Sequence, residues 1–222
     1  MIVSIHQPQY IPWVPYFTKI KKSNIFVFLD DVQFQKNGLQ NRNYVWSKNG
    51  ELRLTIPVSV NLGDVINSVK IADKNILKKH WVSLENTYKK APFFEEISGW
   101  MKEIFFKDYV LLNDLNTDLN FAILKYLKIS TPIIFSSTLE KYGEKSDLVL
   151  SICNKLSANT YITGSGGLDY LVQEDFEKSS IKIELLSNQF KNYPQINSVE
   201  FVSKLSILDL LFNVGVNSIN YI

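Results

Sequence analysis

The stretch Ile2–Leu29, IVSIHQPQYIPWVPYFTKIKKSNIFVFL, decides the fold. Its ends, Ile2–Ile5 and Ile25–Leu29, are short, nearly all-apolar runs that read as strands. Between them, the residues near Val14–Lys21 carry apolar side chains at helical spacing. Strand, helix and strand in this order make a βαβ unit. Strands apolar on both sides belong inside a covered sheet, which favours parallel pairing and a right-handed crossover. Ligands of such sheets gather beyond the carboxyl ends of the strands. His6 ends the first strand and Asp30–Asp31 follow the second, so both are expected to face one crevice.

The rest of the chain extends this pattern. Leu52–Val60 alternates like a strand after the turn signal Lys48-Asn49-Gly50, and a short strand is expected near Val69–Ile71. Ile76–Tyr88, Phe94–Phe106 and Leu115–Leu127 have helical periodicity. Strands return at Pro132–Phe135, Thr160–Thr163 and Ile181–Leu186, with helices at Lys145–Leu156, after Gly167 and at Ser206–Asn213. The expectation is one α/β domain over residues 1–222. It has a mostly parallel, Rossmann-like sheet flanked by helices, and a helical segment at about 74–128.

Composition narrows the function classes. The 222 residues carry 24 basic and 22 acidic side chains, too balanced for a protein that grips DNA through its phosphates. Five lysines in Lys74–Lys90 read as a solvated helix face, and His80 among them as a surface residue. The single cysteine, Cys153, lies on an apolar helical pattern and reads as core filler. No run approaches the roughly 18 apolar residues of a membrane span, and no signal sequence is evident at the N-terminus. A reducing cytoplasm is the expected compartment.

Two blocks concentrate the chemistry. In His6-Gln7-Pro8-Gln9-Tyr10-Ile11-Pro12-Trp13-Val14-Pro15-Tyr16-Phe17, three prolines stiffen the strand exit. The loop presents His6, Gln7, Tyr10, Trp13 and Tyr16 as a binding floor, while Phe17 reads as packing. In the second block, Asp30 and Asp31 can hold a metal, an ammonium or a ribose. Beyond Gln33, Lys36 and Arg42 can hold a phosphate or carboxylate, with Asn41 beside them. No residue is assigned to a metal. Gly164, Gly166 and Gly167 follow a strand and lead into a short helix, where free backbone amides suit an anion; Asp169 and Tyr170 are expected in that helix's first turn.

HQPQYIPWVPYF, DDVQFQK, NRNYV and LTIPV in succession resemble the opening of WbqC-like proteins. YKKAPFF from Tyr88, TGSGGLDYL from Thr163, Tyr193-Pro194-Gln195 and LSILDLLFN from Leu205 extend the resemblance over essentially the whole chain. Pro15 departs from it, standing where the family usually has glycine. The resemblance implies a role in O-antigen or similar glycan assembly, with transfer of a glycyl, aminoacyl or other acyl group to an amino sugar. The acceptor would be nucleotide-linked or lipid-linked. The donor would be an aminoacyl ester, tRNA-borne esters included, an acyl thioester, or an ATP-activated acid.

For such transfer the attacking amine must lose a proton, and His6 has a suitable intrinsic pKa. Tyr10, Gln7 or Arg42 would then steady the oxyanion, and Asp30 or Asp31 would hold the amine. The alternatives are an ATP-dependent nucleotidyl transferase or ligase, though without that class's paired histidines, and a noncatalytic sugar-nucleotide binding protein.

Overall fold

A computed structural model describes residues 1–187 and 190–222. In chain order its elements are β1 (Ile2–His6), α1 (Val14–Lys22), β2 (Ile25–Phe28), β3 (Arg42–Ser47), β4 (Gly50–Thr55), β5 (Val58–Ser59), β6 (Lys70–Ile71), α2 (Ile76–Tyr88), α3 (Phe94–Phe106), α4 (Leu112–Tyr126), β7 (Ile133–Phe135), α5 (Lys145–Lys155), β8 (Thr160–Thr163), α6 (Ser165–Leu168), α7 (Gln173–Lys178), β9 (Lys182–Leu185) and α8 (Ile207–Val214). The chain forms two compact units. Unit 1 is Met1–Gln7, Pro15–Asp31 and Ile129–Gln189; unit 2 is Pro8–Val14, Val32–Lys128 and Phe190–Ile222.

Unit 1 is an α/β, Rossmann-like layer. Its five strands lie in the order β7-β2-β1-β8-β9, and every neighbouring pair is parallel. Ranked along the chain, that is the order 3-2-1-4-5, a Rossmann sheet less its sixth strand. Alternation along the strands divides the core between two faces. Val3, Ile5, Val27 and Tyr161 pack with Val149, Ile152 and Cys153 of α5 and Phe176 of α7. On the α1 side, Ser23 Oγ donates to Ser4 Oγ at 2.7 Å, and the Tyr16 ring meets Phe26 edge-on at 5.5 Å.

Unit 2 holds the helices α2, α3, α4 and α8 with two small antiparallel pairs, β3–β4 and β5–β6. Two strand assignments change. Residues 42–47, given no element from sequence, form β3, and Arg42 pairs with Thr55 across the hairpin. The run Leu52–Val60 breaks at Pro57, which has no amide to give a ladder, and yields β4 and β5. An aromatic cluster joins the helices: Trp81 meets Phe94 and Phe105, and Tyr88 stacks on Phe212 at 4.8 Å. Ser206 caps α8 by accepting from the Leu208 amide.

Candidate active site

The order of unit 1's strands reverses between β1 and β8, which are neighbours in space though far apart in sequence. Open α/β sheets bind ligands outside the carboxyl ends of the strands at this switch. Ser4 lies opposite Ile162, so two residues on His6 stands level with Gly164. On the other side His6 pairs with Phe28, two residues before Asp30. Three strands thus deliver His6, Asp30 and the glycine segment to one edge of the sheet.

His6 Nδ1 lies 3.0 Å from the Gln7 carbonyl, which can only accept, so the proton sits on Nδ1 and Nε2 keeps its lone pair. The ring meets Tyr16 edge-on at 5.1 Å. His6 keeps some solvent contact, but the atoms around it strip most of its hydration. That burial, and next the Lys19 charge, push its pKa down from 6.5 to about 3. Its neutral form therefore prevails at pH 7, and selecting it as general base on its intrinsic pKa does not hold.

Lys19 has a pKa near neutrality. It lies on α1, is 6% exposed, and burial lowers its amine from 10.5 to about 7. Sequence reading passed over it. The signal was its place three residues after Tyr16 and four before Ser23, on the face that α1 buries.

The acidic pair is already engaged. Asp30 is 3% exposed; its Oδ1 accepts from Ser137 N at 3.0 Å and its Oδ2 from Ser137 Oγ at 2.8 Å. Asp31 Oδ1 accepts from Ser136 Oγ, and Asp31 Oδ2 pairs with Lys141 Nζ, each at 2.5 Å. Burial alone would raise the pKa of Asp31, but the bonds from Lys141 and Ser136 outweigh it and the net shift is downward. The two carboxylates tie the end of β2 to the turn after β7 through Ser136, Ser137 and Lys141. Ser136, Ser137 and Lys141 were overlooked because the order of the strands, hence β7's place beside β2, is not written in local sequence.

The glycine segment also differs from expectation. α6 begins at Ser165, has four residues, and Asp169 and Tyr170 follow it instead of opening a helix. Only Gly167 is sterically required, since a Cβ there would fall 2.0 Å from Thr163 Oγ1. Gly164 and Gly166 border open space. Pro15 lies in the first turn of α1, where its missing amide costs no helical bond.

The sequence profile of the WbqC-like protein family matches residues 7–221. The chain belongs to this family. It is similar to uncharacterized protein Rv1507c of Mycobacterium tuberculosis, 33% identical over 224 residues, covering 99% of this chain and 96% of that protein. No solved structure matches it. The family match starts one residue after His6.

The remaining expected site residues of this WbqC-like chain belong to unit 2. Tyr10 is fully buried, its hydroxyl 2.8 Å from His80 Nδ1, and burial raises its pKa well above 10. The Tyr10 hydroxyl thus has its hydrogen-bond partner, His80, within unit 2. His80 in turn is buried, not at the surface. Burial takes its pKa down to about 4, only partly opposed by a hydrogen bond to the Thr55 backbone. Trp13 packs against Phe190 at 5.7 Å, and Asn41 Nδ2 donates to Ile56 O at 2.8 Å. Arg42 is half-buried on β3, whereas Gln33 and Lys36 are exposed. The loop 8–14 is pinned from all sides: Asn43 donates to Ile11 O, Asn120 to Gln9 O and Ser206 to Ile11 O, at 2.8, 3.0 and 2.8 Å. Among the described residues no helix is long and apolar enough to cross a membrane.

Proposed function

We propose that this chain is an enzyme of surface-polysaccharide (O-antigen) assembly that transfers a glycyl, aminoacyl or other acyl group to the amine of a nucleotide-linked or lipid-linked amino sugar. The observation that carries it is the convergence of His6, Asp30 and the glycine segment at the carboxyl ends of β1, β2 and β8; Lys19 of α1, whose charge is felt at His6, adds an amine that burial brings to a pKa of about 7. Family membership supports the polysaccharide setting. A Rossmann-like switch point suits a nucleotide-linked substrate.

In this mechanism the sugar amine attacks the acyl carbonyl, forming a C–N bond and an oxyanion. Unprotonated Lys19 takes the proton that the attacking nitrogen sheds. His6 Nε2 accepts a hydrogen bond from the same nitrogen and aims its lone pair. Collapse of the intermediate breaks the bond to the donor's oxygen or sulfur, and Lys19 returns its proton to that leaving group. Gln7 and the backbone beside Gly164 and Gly166 border the reacting carbonyl. The rate of such transfer rises with pH through about 7 as Lys19 deprotonates, while His6 adds no inflection near neutrality.

The test incubates the chain with a nucleotide-linked amino sugar and, in turn, acyl-CoA, aminoacyl-tRNA, or glycine with ATP, and reads the amide product by mass spectrometry. Lys19→Met is expected to lower turnover by about 10³-fold, within the usual range for a lost acid–base group. Full turnover in Lys19→Met, or no amide from any donor, overturns the mechanism. Pyrophosphate release from ATP without an amide product points instead to nucleotidyl transfer.

A further inference from the structure

Unit 2 contains an open-mouthed cavity of about 760 Å³ whose lining includes Phe93, Lys191, Asn192, Asn213, Asn217 and Tyr221. We infer that this cavity is a saccharide-binding site. Its described lining residues belong to unit 2, and it requires nothing of the chemistry proposed for unit 1.

The cavity's fixed parts are held in place before any ligand arrives. The Phe93 amide donates to Phe212 O at 3.1 Å, and Gly215, at φ +64°, leaves room for the Phe93 ring, which a Cβ would meet at 2.3 Å. Asn213 is buried and engaged at both ends, its Oδ1 accepting from Ile196 N and its Nδ2 donating to Asp209 O. The Tyr221 ring rests edge-on against Tyr193 at 5.8 Å, and the Tyr193 hydroxyl donates to Asp209 at 2.9 Å. Lys191 Nζ donates to Asn220 O at 2.7 Å and closes the rim.

Against this frame stand the side chains of Asn192, Asn217 and Asn220, all exposed. Each carboxamide offers donors and an acceptor on one plane, the combination that a pair of sugar hydroxyls satisfies. Tyr221 and Phe93 supply apolar ring surface for the C–H faces of a pyranose. Lys191 is the only charged residue among the described lining residues, so the ligand is neutral or anionic, not basic. The volume is within the roughly 300–1,000 Å³ of ligand sites, and its open mouth suits a chain of sugars that continues into solvent.

The test titrates the full chain with triacetylchitotriose, a neutral probe, and with a sialic acid trimer, an anionic one, read by calorimetry and by side-chain amide NMR. At least one is expected to bind and to move the Asn192, Asn217 and Asn220 amide signals. Asn217→Ala and Asn192→Ala, both at exposed positions and each checked for an unchanged circular dichroism spectrum, are expected to weaken binding at least tenfold. Lys191→Met weakens only the acidic trimer if the site is for acidic sugars, and leaves chitotriose unaffected. Failure of both probes to bind, or binding that both asparagine variants leave unchanged, overturns the site. Lys19→Met binds like the wild type, so loss of catalysis and loss of saccharide binding are separate outcomes.

Discussion

Unit 1 buries two basic groups, Lys19 and His6, whose pKa values both fall because burial removes water from their charged forms. Unit 2 buries a carboxylate, Asp209, and surrounds it with donors: Tyr88 OH at 2.6 Å, Gln195 Nε2 at 2.7 Å and Tyr193 OH at 2.9 Å. Burial raises the pKa of Asp209, and those three hydrogen bonds oppose the rise. A group whose charge is compensated holds a fold together, whereas one left under-compensated costs stability and is a candidate for chemistry. The chemistry proposed for this chain draws on the groups of unit 1, while the Asp209 cluster is part of the architecture of unit 2.

The largest test of that contrast is Lys19→Met. The folded pKa of about 7 lies below the unfolded value of 10.5, so between these values the unfolded chain holds more protons and wild-type stability rises with pH. Below pH 7 the penalty is present in full; by pH 10.5 it is gone. Lys19→Met is therefore expected to be more stable than the wild type at pH 6, by up to about 5 kcal/mol if each pKa unit is worth about 1.4, and to lose that advantage toward pH 10. Urea denaturation at the two pH values measures it. A variant less stable at pH 6 would make Lys19 a structural residue and break the contrast.

Asp209→Ala should do the opposite. It leaves two tyrosine hydroxyls and a carboxamide without their shared acceptor, and a buried donor left unsatisfied costs about 1–3 kcal/mol. Because Tyr193 also supports Tyr221, the loss should extend to saccharide binding in unit 2. A cost under about 1 kcal/mol would show that Asp209 is as poorly compensated as Lys19.

The elements of this chain were more legible than their neighbours. β1 and β2 could be read from apolar runs, because a strand covered on both faces leaves a continuous apolar signature. β3 escaped because Asn43 occupies one of its inward positions, masking the alternation; its amide is satisfied by Tyr10 O and Ile11 O, which local sequence does not reveal. His80 sits at helical spacing between Leu77 and Leu84 on the buried stripe of α2, but the adjacent Lys78 and Lys79 suggested a solvated face. The proline-rich loop 8–14 was legible as rigid. That its Tyr10 serves unit 2 rather than a ligand depended on a partner seventy residues away. The strand-end rule found His6 and Asp30, yet Lys141 and Ser136 required the order of the strands, which rests on long-range pairing.

The smallest effect separates the two histidines. Both have depressed pKa values, but His80 has a partner at Tyr10 OH and a hydrogen bond to the Thr55 backbone, whereas His6 gives its Nδ1 proton to the Gln7 carbonyl and keeps the Nε2 lone pair as an acceptor. His80 has a folded pKa of about 4 against 6.5 unfolded, so its contribution is complete above pH 6.5 and is lost as the pH falls toward 4. The stability advantage of the wild type over His80→Gln should shrink by up to about 3 kcal/mol between pH 7 and pH 4, read from urea midpoints, with turnover at pH 7 reduced no more than the unfolded fraction requires. His6→Gln should invert the pattern, with a large loss of turnover and a small change in stability at pH 7. An equal loss of turnover in both variants, with both chains folded, would place a reacting group in unit 2 and dissolve the division between the units.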